Sequence, residues 1–280
     1  MKKILKIILL IIILSIVIFS GYKYLIKGDS VSKSKISWLL EKPIAHRGLF
    51  DDENPENTIG AFEKAIEKGY SIELDIQLTK DKEVIVFHDD DLLRLTERDI
   101  KIEDSNYNDI KNIKILDTNY TIPTLKQVIE YVDGKVPLLI EIKDGKDIIE
   151  LSKRSNEVMK EYEGDYAVQS FNPFVLEWYK DNEPGVLRGQ LSGSYKKGAE
   201  KLKEYEKFVL RNLLLNFKSK PNFIAYEVQG IPNNSVEYVR KTGIPVLTWT
   251  VVDNKTLEKA NLYTDNIIFN NFDEFNHEYE

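Results

Sequence analysis

The 280-residue chain holds three histidines, and two of them stand beside a strong polar partner at the end of a short apolar run: His46-Arg47-Gly48 and His88-Asp89. Imidazole titrates near neutral pH, so two rings brought to one place can serve as acid and base in a displacement at phosphorus. Arg47 adds a permanent, fork-shaped donor that matches a phosphodiester anion. Gly48 lets the backbone turn close to a ligand. The third histidine, His277, lies in the polar run Asn276-His277-Glu278 and reads as solvated.

A second group of residues could hold a cation. In Ile72-Glu73-Leu74-Asp75-Ile76-Gln77 the strand alternation puts Glu73, Asp75 and Gln77 on one face and the aliphatics on the other. Taken alone, such a strand reads as half-exposed with a solvated polar face. The run Leu138 to Lys143 repeats the pattern, with Glu141 and Lys143 at its end. Three carboxylates at the ends of adjacent strands repel strongly without a cation. Oxygen-only ligands suit a hard ion such as Ca2+ or Mg2+. With no cysteine in the chain, disulfides, thiolate zinc sites and cysteine nucleophiles are all excluded.

Several other residues carry a plainer reading beside a functional one. Trp249, in Leu247-Thr248-Trp249-Thr250, is either core or an aromatic wall for a substrate alcohol. In Asn54-Pro55-Glu56-Asn57-Thr58 an N-cap at Asn57 or Thr58 is the simple account, with Gly69 past the helix end. Glu56 and Asn57 could also support a metal site. Gln169, Ser170 and Phe171 carry no distinctive chemistry, and Glu227 reads as an exposed carboxylate.

These residues need a frame that gathers strand ends. Apolar runs predict strands at 43–46, 71–79, 137–143, 166–170, 186–191, 223–227, 245–251 and 266–269. Helical stretches begin near Thr58, Thr124, Lys146, Pro173, Lys197, Asn234 and Lys255, with a short last one near Asp273. The charged stretch 195–220 reads as one long or two short helices. The alternation predicts a TIM-type (β/α)8 barrel, in which catalysis sits at the C-terminal ends of the strands. A doubly wound open sheet is the alternative, but no Gly-rich dinucleotide or P-loop fingerprint is present.

One run breaks the repeat. Residues 83–88 follow 71–79 after only Lys80-Asp81-Lys82, too short for a parallel crossover, so the two must form an antiparallel hairpin. If Thr79 pairs with Glu83, His88 falls opposite Leu74, beside Glu73 and Asp75. The polar insertion 89–123 then reads as a cap over the barrel mouth.

Composition bounds the rest. A hydrophobic fraction of 42% with 30% charged residues excludes wholesale disorder, and a net charge of −7 argues against nucleic acid as a partner. Residues 1–27 hold an apolar run, Ile7 to Tyr22, broken only by Ser15, Ser20 and Gly21. With Ile4 and Leu5 it approaches the roughly 20 residues needed to cross a bilayer. The A-x-A-like exit of a cleaved signal peptide is missing. The segment reads as an uncleaved transmembrane anchor, and Lys2, Lys3 and Lys6 favour a cytoplasmic tail and an outward-facing, extracellular domain. Residues 28–40 read as a mostly polar linker and 41–280 as the barrel.

At these residues the sequence strongly resembles the glycerophosphodiester phosphodiesterase family. The matching segments, in family order, are His46-Arg47-Gly48, Pro55-Glu56-Asn57-Thr58, Glu73-Leu74-Asp75, Thr79-Lys80-Asp81, His88-Asp89, Ile122-Pro123-Thr124-Leu125, Glu141-Ile142-Lys143, Ser170-Phe171 and Trp249-Thr250. The resemblance implies a metal-dependent barrel hydrolase that splits glycerophosphodiesters into glycerol 3-phosphate and an alcohol. It makes His46 and His88 the general acid and base, and Glu73, Asp75 and Glu141 the ligands of one divalent cation, Ca2+ or Mg2+. Arg47 and Lys143 would hold the phosphate. A substrate hydroxyl vicinal to the phosphate could attack first, giving a cyclic phosphate that water then opens.

Two positions depart from the family pattern. Lys82 replaces the hairpin-turn glycine, and Phe269-Asn270 replaces a common Thr-Asp pair on the last strand. Neither is expected to touch the histidine or metal positions. Two rivals remain: a phospholipase-D-like barrel acting on intact lipid headgroups, and a catalytically silent barrel that binds phosphodiesters.

Overall fold

The structure is a computed structural model that describes residues 2–196, 199–200 and 202–270. Its strands are β1 (Ile44–Ala45), β2 (Ser71–Leu78), β3 (Val84–Val86), β4 (Leu138–Ile142), β5 (Tyr166–Ser170), β6 (Leu187–Ser192), β7 (Phe223–Glu227), β8 (Val246–Val251) and β9 (Asn266–Phe269). All but β3 are parallel, and pairing of β1 with both β2 and β9 closes them into an eight-stranded barrel. The barrel expected from the sequence is the barrel found, strand for strand.

Alternation along the strands divides the molecule into two shells. Outward residues such as Ile72, Leu74, Ile76, Leu138 and Ile140 pack under the surrounding helices. Inward residues Leu139, Ala167, Leu187, Phe223, Leu247 and Ile268 fill the lower barrel. Gly189 is required there, because a Cβ on it would lie 2.0 Å from the Phe223 ring. The inward residues near the upper ends of β2 and β4 are instead Glu73, Asp75, Gln77 and Glu141, all buried. The same periodicity thus gives an apolar plug below and a polar floor above.

The helices Ile59–Glu67, Leu125–Val132, Ile148–Met159, Pro173–Asn182, Asn234–Lys241 and Asn254–Tyr263 begin close to their expected starts. Thr58 caps the first, and Thr124 forms a reciprocal capping box with Gln127 on the second. Between β6 and β7 the chain forms two short helices, Glu204–Arg211 and Asn216–Ser219. The helix expected near Asp273 lies outside the described residues.

The hairpin has the expected register, with Ile76 opposite Val86, Gln77 opposite Ile85 and Leu78 opposite Val84. Phe87 N–H continues the ladder to the Asp75 carbonyl at 3.0 Å. Lys82, in place of the turn glycine, adopts a left-handed φ of 69°. The 89–123 insertion is less polar inside than its composition suggests: Leu92, Leu95, Ile102, Ile110, Ile115 and Ile122 converge on Ile85 and Phe87.

Residues 28–40, expected as a linker, pack against the barrel. Arg188 donates to Asp29 Oδ2 at 3.3 Å, and Asn222 donates to the Asp29 carbonyl at 3.0 Å. Ile36, Trp38 and Leu39, on the short helices Lys33–Ile36 and Trp38–Glu41, join the lower barrel core. Burying an apolar side chain of this size contributes about 1.5–3 kcal/mol, which outweighs the polar character that suggested a free linker. The N-terminal helix Lys2–Leu25 is exposed from Ile4 to Phe19. It is long and apolar enough to cross a membrane.

Candidate active site

The polar floor and the loops above it gather most of the residues singled out from the sequence. Glu73, Asp75 and Glu141 each present a carboxylate oxygen, and the three oxygens lie within 4.8 Å of one another. Burial, followed by the charges of Asp75 and Glu141, holds the Glu73 carboxyl well above the usual carboxylate range. Burial would raise Asp75 as well, but Lys143, His88 and Arg47 outweigh it and hold that carboxyl well below the usual range. Burial and the neighbouring charges thus drive the two carboxyls apart, Glu73 upward and Asp75 downward.

Such a cluster suits a hard divalent cation. Asp75 Oδ1 is buried without a hydrogen-bond partner, and Lys143 Nζ stands 3.6 Å from it. A buried anionic oxygen left in that state favours a cation beside it. All three donors are oxygens, as Ca2+ or Mg2+ requires. Lys143 also pairs with Glu141 at 3.0 Å, so its ammonium stands between two of the three carboxylates.

The first loop after β1 braces this cluster. Arg47 adopts φ 59°, and its backbone N–H donates to Glu73 Oε2 at 3.1 Å. Its guanidinium meets Glu56 at 2.7 Å and Asp75 at 3.4 Å. Gly48 follows at φ 80°, and a Cβ there would come within 2.8 Å of the Ala61 backbone, so the chain can turn here only with glycine. Asn57, which the sequence left between cap and site support, donates to Asp75 Oδ2 at 2.9 Å. Thr58 is the cap.

The histidines differ in their partners. His46 is half-buried, and its Nδ1 lies 2.7 Å from Asn270 Oδ1. Burial and then the Arg47 charge push its pKa down to about 4. His88 Nδ1 lies 2.7 Å from Asp89 Oδ1, and Arg94 holds the other Asp89 oxygen at 2.6 Å. The Asn270 contact corrects an expectation: the departure at the end of β9 does reach a histidine, because closure of β9 on β1 brings residue 270 against residue 46.

Arg94 had no clear signal in the sequence, whereas Asn270 stood out only as a departure from the family pattern. Arg94, from the short helix Leu93–Thr96, also grips Glu56 through two donors at 2.9 and 2.7 Å. Gln169 carries no distinctive chemistry in the sequence, yet its Nε2 donates to Glu73 Oε1 at 3.2 Å. Trp249 stands further round the barrel, half-buried, with its ring edge-on to Phe171 at 5.5 Å and its Nε1 donating to the Ala225 carbonyl. A cleft of about 890 Å3 opens between the hairpin, the insertion and the loop after β4, and it meets the cluster at Lys143 and Gln77.

Comparison with known proteins gives a consistent result. Residues 46–274 match the model of the Glycerophosphoryl diester phosphodiesterase family. A glycerophosphodiester phosphodiesterase of Caldanaerobacter subterraneus subsp. tengcongensis is 34% identical over 228 residues, covering 77% of this chain and 88% of the relative. A lysophospholipase D of Homo sapiens is 33% identical over 159 residues, or 51% of this chain and 49% of that one. The solved structure of an Oleispira antarctica phosphodiesterase, in complex with the product sn-glycerol-3-phosphate, superposes with a TM-score of 0.69 at 25% identity. That superposition covers 82% of this chain and 93% of the other.

Proposed function

Because this chain belongs to the glycerophosphoryl diester phosphodiesterase family, we propose that it hydrolyses glycerophosphodiesters to glycerol 3-phosphate and an alcohol, with a divalent cation on Glu73, Asp75 and Glu141 and with His46 and His88 exchanging protons. The observation that carries the reading is the buried three-carboxylate cluster flanked by two histidines with unlike partners.

When bound, the cation supplies Lewis acidity at a phosphoryl oxygen and neutralises charge that grows in the transition state. The chain's own residues do the rest. Arg47 and Lys143 add positive charge beside the phosphate. Neutral His46, with Nδ1–H donated to Asn270, presents a free Nε2 to take the proton of the attacking hydroxyl. An amide carbonyl cannot balance a second proton on that ring. His88 has a carboxylate behind it, which can, so His88 delivers a proton to the departing alcohol oxygen. The P–O bond to the alcohol breaks as the new P–O bond forms, and water then opens the cyclic phosphate to glycerol 3-phosphate with the two histidines in exchanged roles. Phe171 and Trp249 would face the alcohol. Asn57, Gln169 and Arg94 position the ligands and His88 without touching the substrate.

The N-terminal helix is read as a single membrane span with the barrel outside the cell. It also favours a second reading, in which the diester is a lipid with its headgroup intact, the chemistry named for the human lysophospholipase D. The test is release of glycerol 3-phosphate from glycerophosphocholine by the full chain, after EDTA and again after Ca2+ or Mg2+ is restored. Metal-dependent release is expected. Release that persists in EDTA would remove the cation from the account, and no glycerol 3-phosphate from glycerophosphocholine while choline is freed from lysophosphatidylcholine would favour the second reading.

A further inference from the structure

In a (β/α)8 barrel each helix runs back from the C-terminal end of its strand, so helix N-termini mark the rim of the mouth. The last turn of the N-terminal helix follows that same direction. Tyr22 Oη is 2.7 Å from Ser235 Oγ, at the rim end of the helix Asn234–Lys241. Lys23 Nζ lies over the Tyr238 ring, one turn lower. Ile26 is fully buried in the cluster that holds Val239 and Ile244. Asp29 N–H reaches the Pro221 carbonyl, just before β7, at the base. The chain thus descends from rim to base between residues 22 and 29. Everything before Tyr22 extends past the rim, and at 1.5 Å per residue the helix reaches about 30 Å beyond it.

A second observation points the same way. Outside that helix, the exposed large apolar side chains gather on the mouth side. Ile149 and Phe174 stand in the first turns of their helices, and Val252 follows β8. Tyr205 and Phe208 lie on the helix Glu204–Arg211, whose last carbonyls accept from Ser192 and Tyr226 near the ends of β6 and β7. Leu93 projects from the insertion. Lys203 lies beside Tyr205 and Lys218 over Phe174, the mixture of aromatic and basic groups that suits a headgroup layer. At the base, Leu262 is the exposed large hydrophobic among the described residues.

We propose that the barrel mouth rests against the headgroup layer of the bilayer that its own N-terminal helix enters, so the active site draws phosphodiesters from the lipid surface. The inference rests on that helix being a span, and it does not depend on which residues do the chemistry. A phosphodiester held at the lipid surface would enter over the rim from the plane of the membrane.

The chain has no cysteine, so single introduced thiols can be labelled cleanly. Full-length Ile11→Cys, Phe174→Cys, Phe208→Cys and Leu262→Cys would each carry an environment-sensitive fluorophore. Each would be reconstituted in phosphatidylcholine–phosphatidylglycerol vesicles, with lipids bearing a nitroxide on the headgroup or the acyl chain. Acyl-chain quenching is expected at 11, headgroup quenching at 174 and 208, and no loss of intensity at 262. Quenching at 11 with none at 174 and 208, or quenching at 262, would overturn the orientation. Absence of quenching at 11 would overturn the span on which it rests.

Discussion

His46 and Asn270 meet at 2.7 Å although 224 residues separate them, and the partner of the half-buried ring is an amide rather than a carboxylate. The contact exists because β9 closes the barrel against β1, with Ile44 beside Ile268 and Ala45 beside Phe269. Burial and then the Arg47 charge outweigh the opposing pull of Asp75 and of the Asn270 hydrogen bond, and the His46 pKa falls to about 4. A cation on the nearby carboxylates would only lower it further.

Replacing the amide tests this relationship. Asn270→Asp puts a negative charge against Nδ1, which favours the imidazolium and should raise the His46 pKa by about 1 unit or more. The base form is lost as pH falls through that pKa, so the acid limb of kcat/KM should move to higher pH. An acid limb that stays where the wild type has it would detach His46 from the base role.

Metal binding should release a proton. Without a cation Glu73 holds its proton above the usual carboxylate range, through burial and then through Asp75 and Glu141. A cation must displace that proton, so apparent affinity should rise with pH through the weakly acidic range. Calorimetric titration of Ca2+ or Mg2+ in buffers of different ionisation enthalpy reads the proton directly. Glu73→Gln should bind more weakly and release none. Wild-type binding with no buffer dependence would remove Glu73 from the ligand set.

Arg94 ties the insertion to both Glu56 and Asp89. Arg94→Ala should lower kcat roughly 10- to 100-fold, the usual effect of losing a residue that orients site groups. Stability should change little, because the guanidinium is 46% exposed and such pairs contribute about 0–1 kcal/mol. Arg94→Lys, with a single point charge, should recover only part of the rate. A large fall in Tm at unchanged kcat would make Arg94 a structural strut instead.

Local pattern carried much of this into the sequence. Period-two alternation in 72–77 and 138–143 placed Glu73, Asp75 and Glu141 on one face, and a three-residue turn fixed the hairpin register that puts Phe87 beside Asp75. Contacts between distant segments were not legible in the same way. Arg94 lies in an insertion with no periodicity, 38 residues from Glu56. The reach of Asn270 to His46 depends on barrel closure, which no local signal encodes. Trp38 and Leu39 belong to a short apolar run after the polar stretch 28–37, too brief to predict an element, and join the core because the base of the barrel needs a cover.

The division of labour between the histidines is tested most directly by the leaving group. We would measure kcat/KM for the wild type, His46→Ala and His88→Ala on glycerophosphocholine and on a p-nitrophenyl glycerophosphodiester, whose phenolate departs without a proton. On the choline diester each variant should lose about 10²–10⁴-fold. On the nitrophenyl diester His88→Ala should recover most of its rate and His46→Ala should not. Recovery by His46→Ala alone, or by both, would contradict the assignment of His46 as base and His88 as acid.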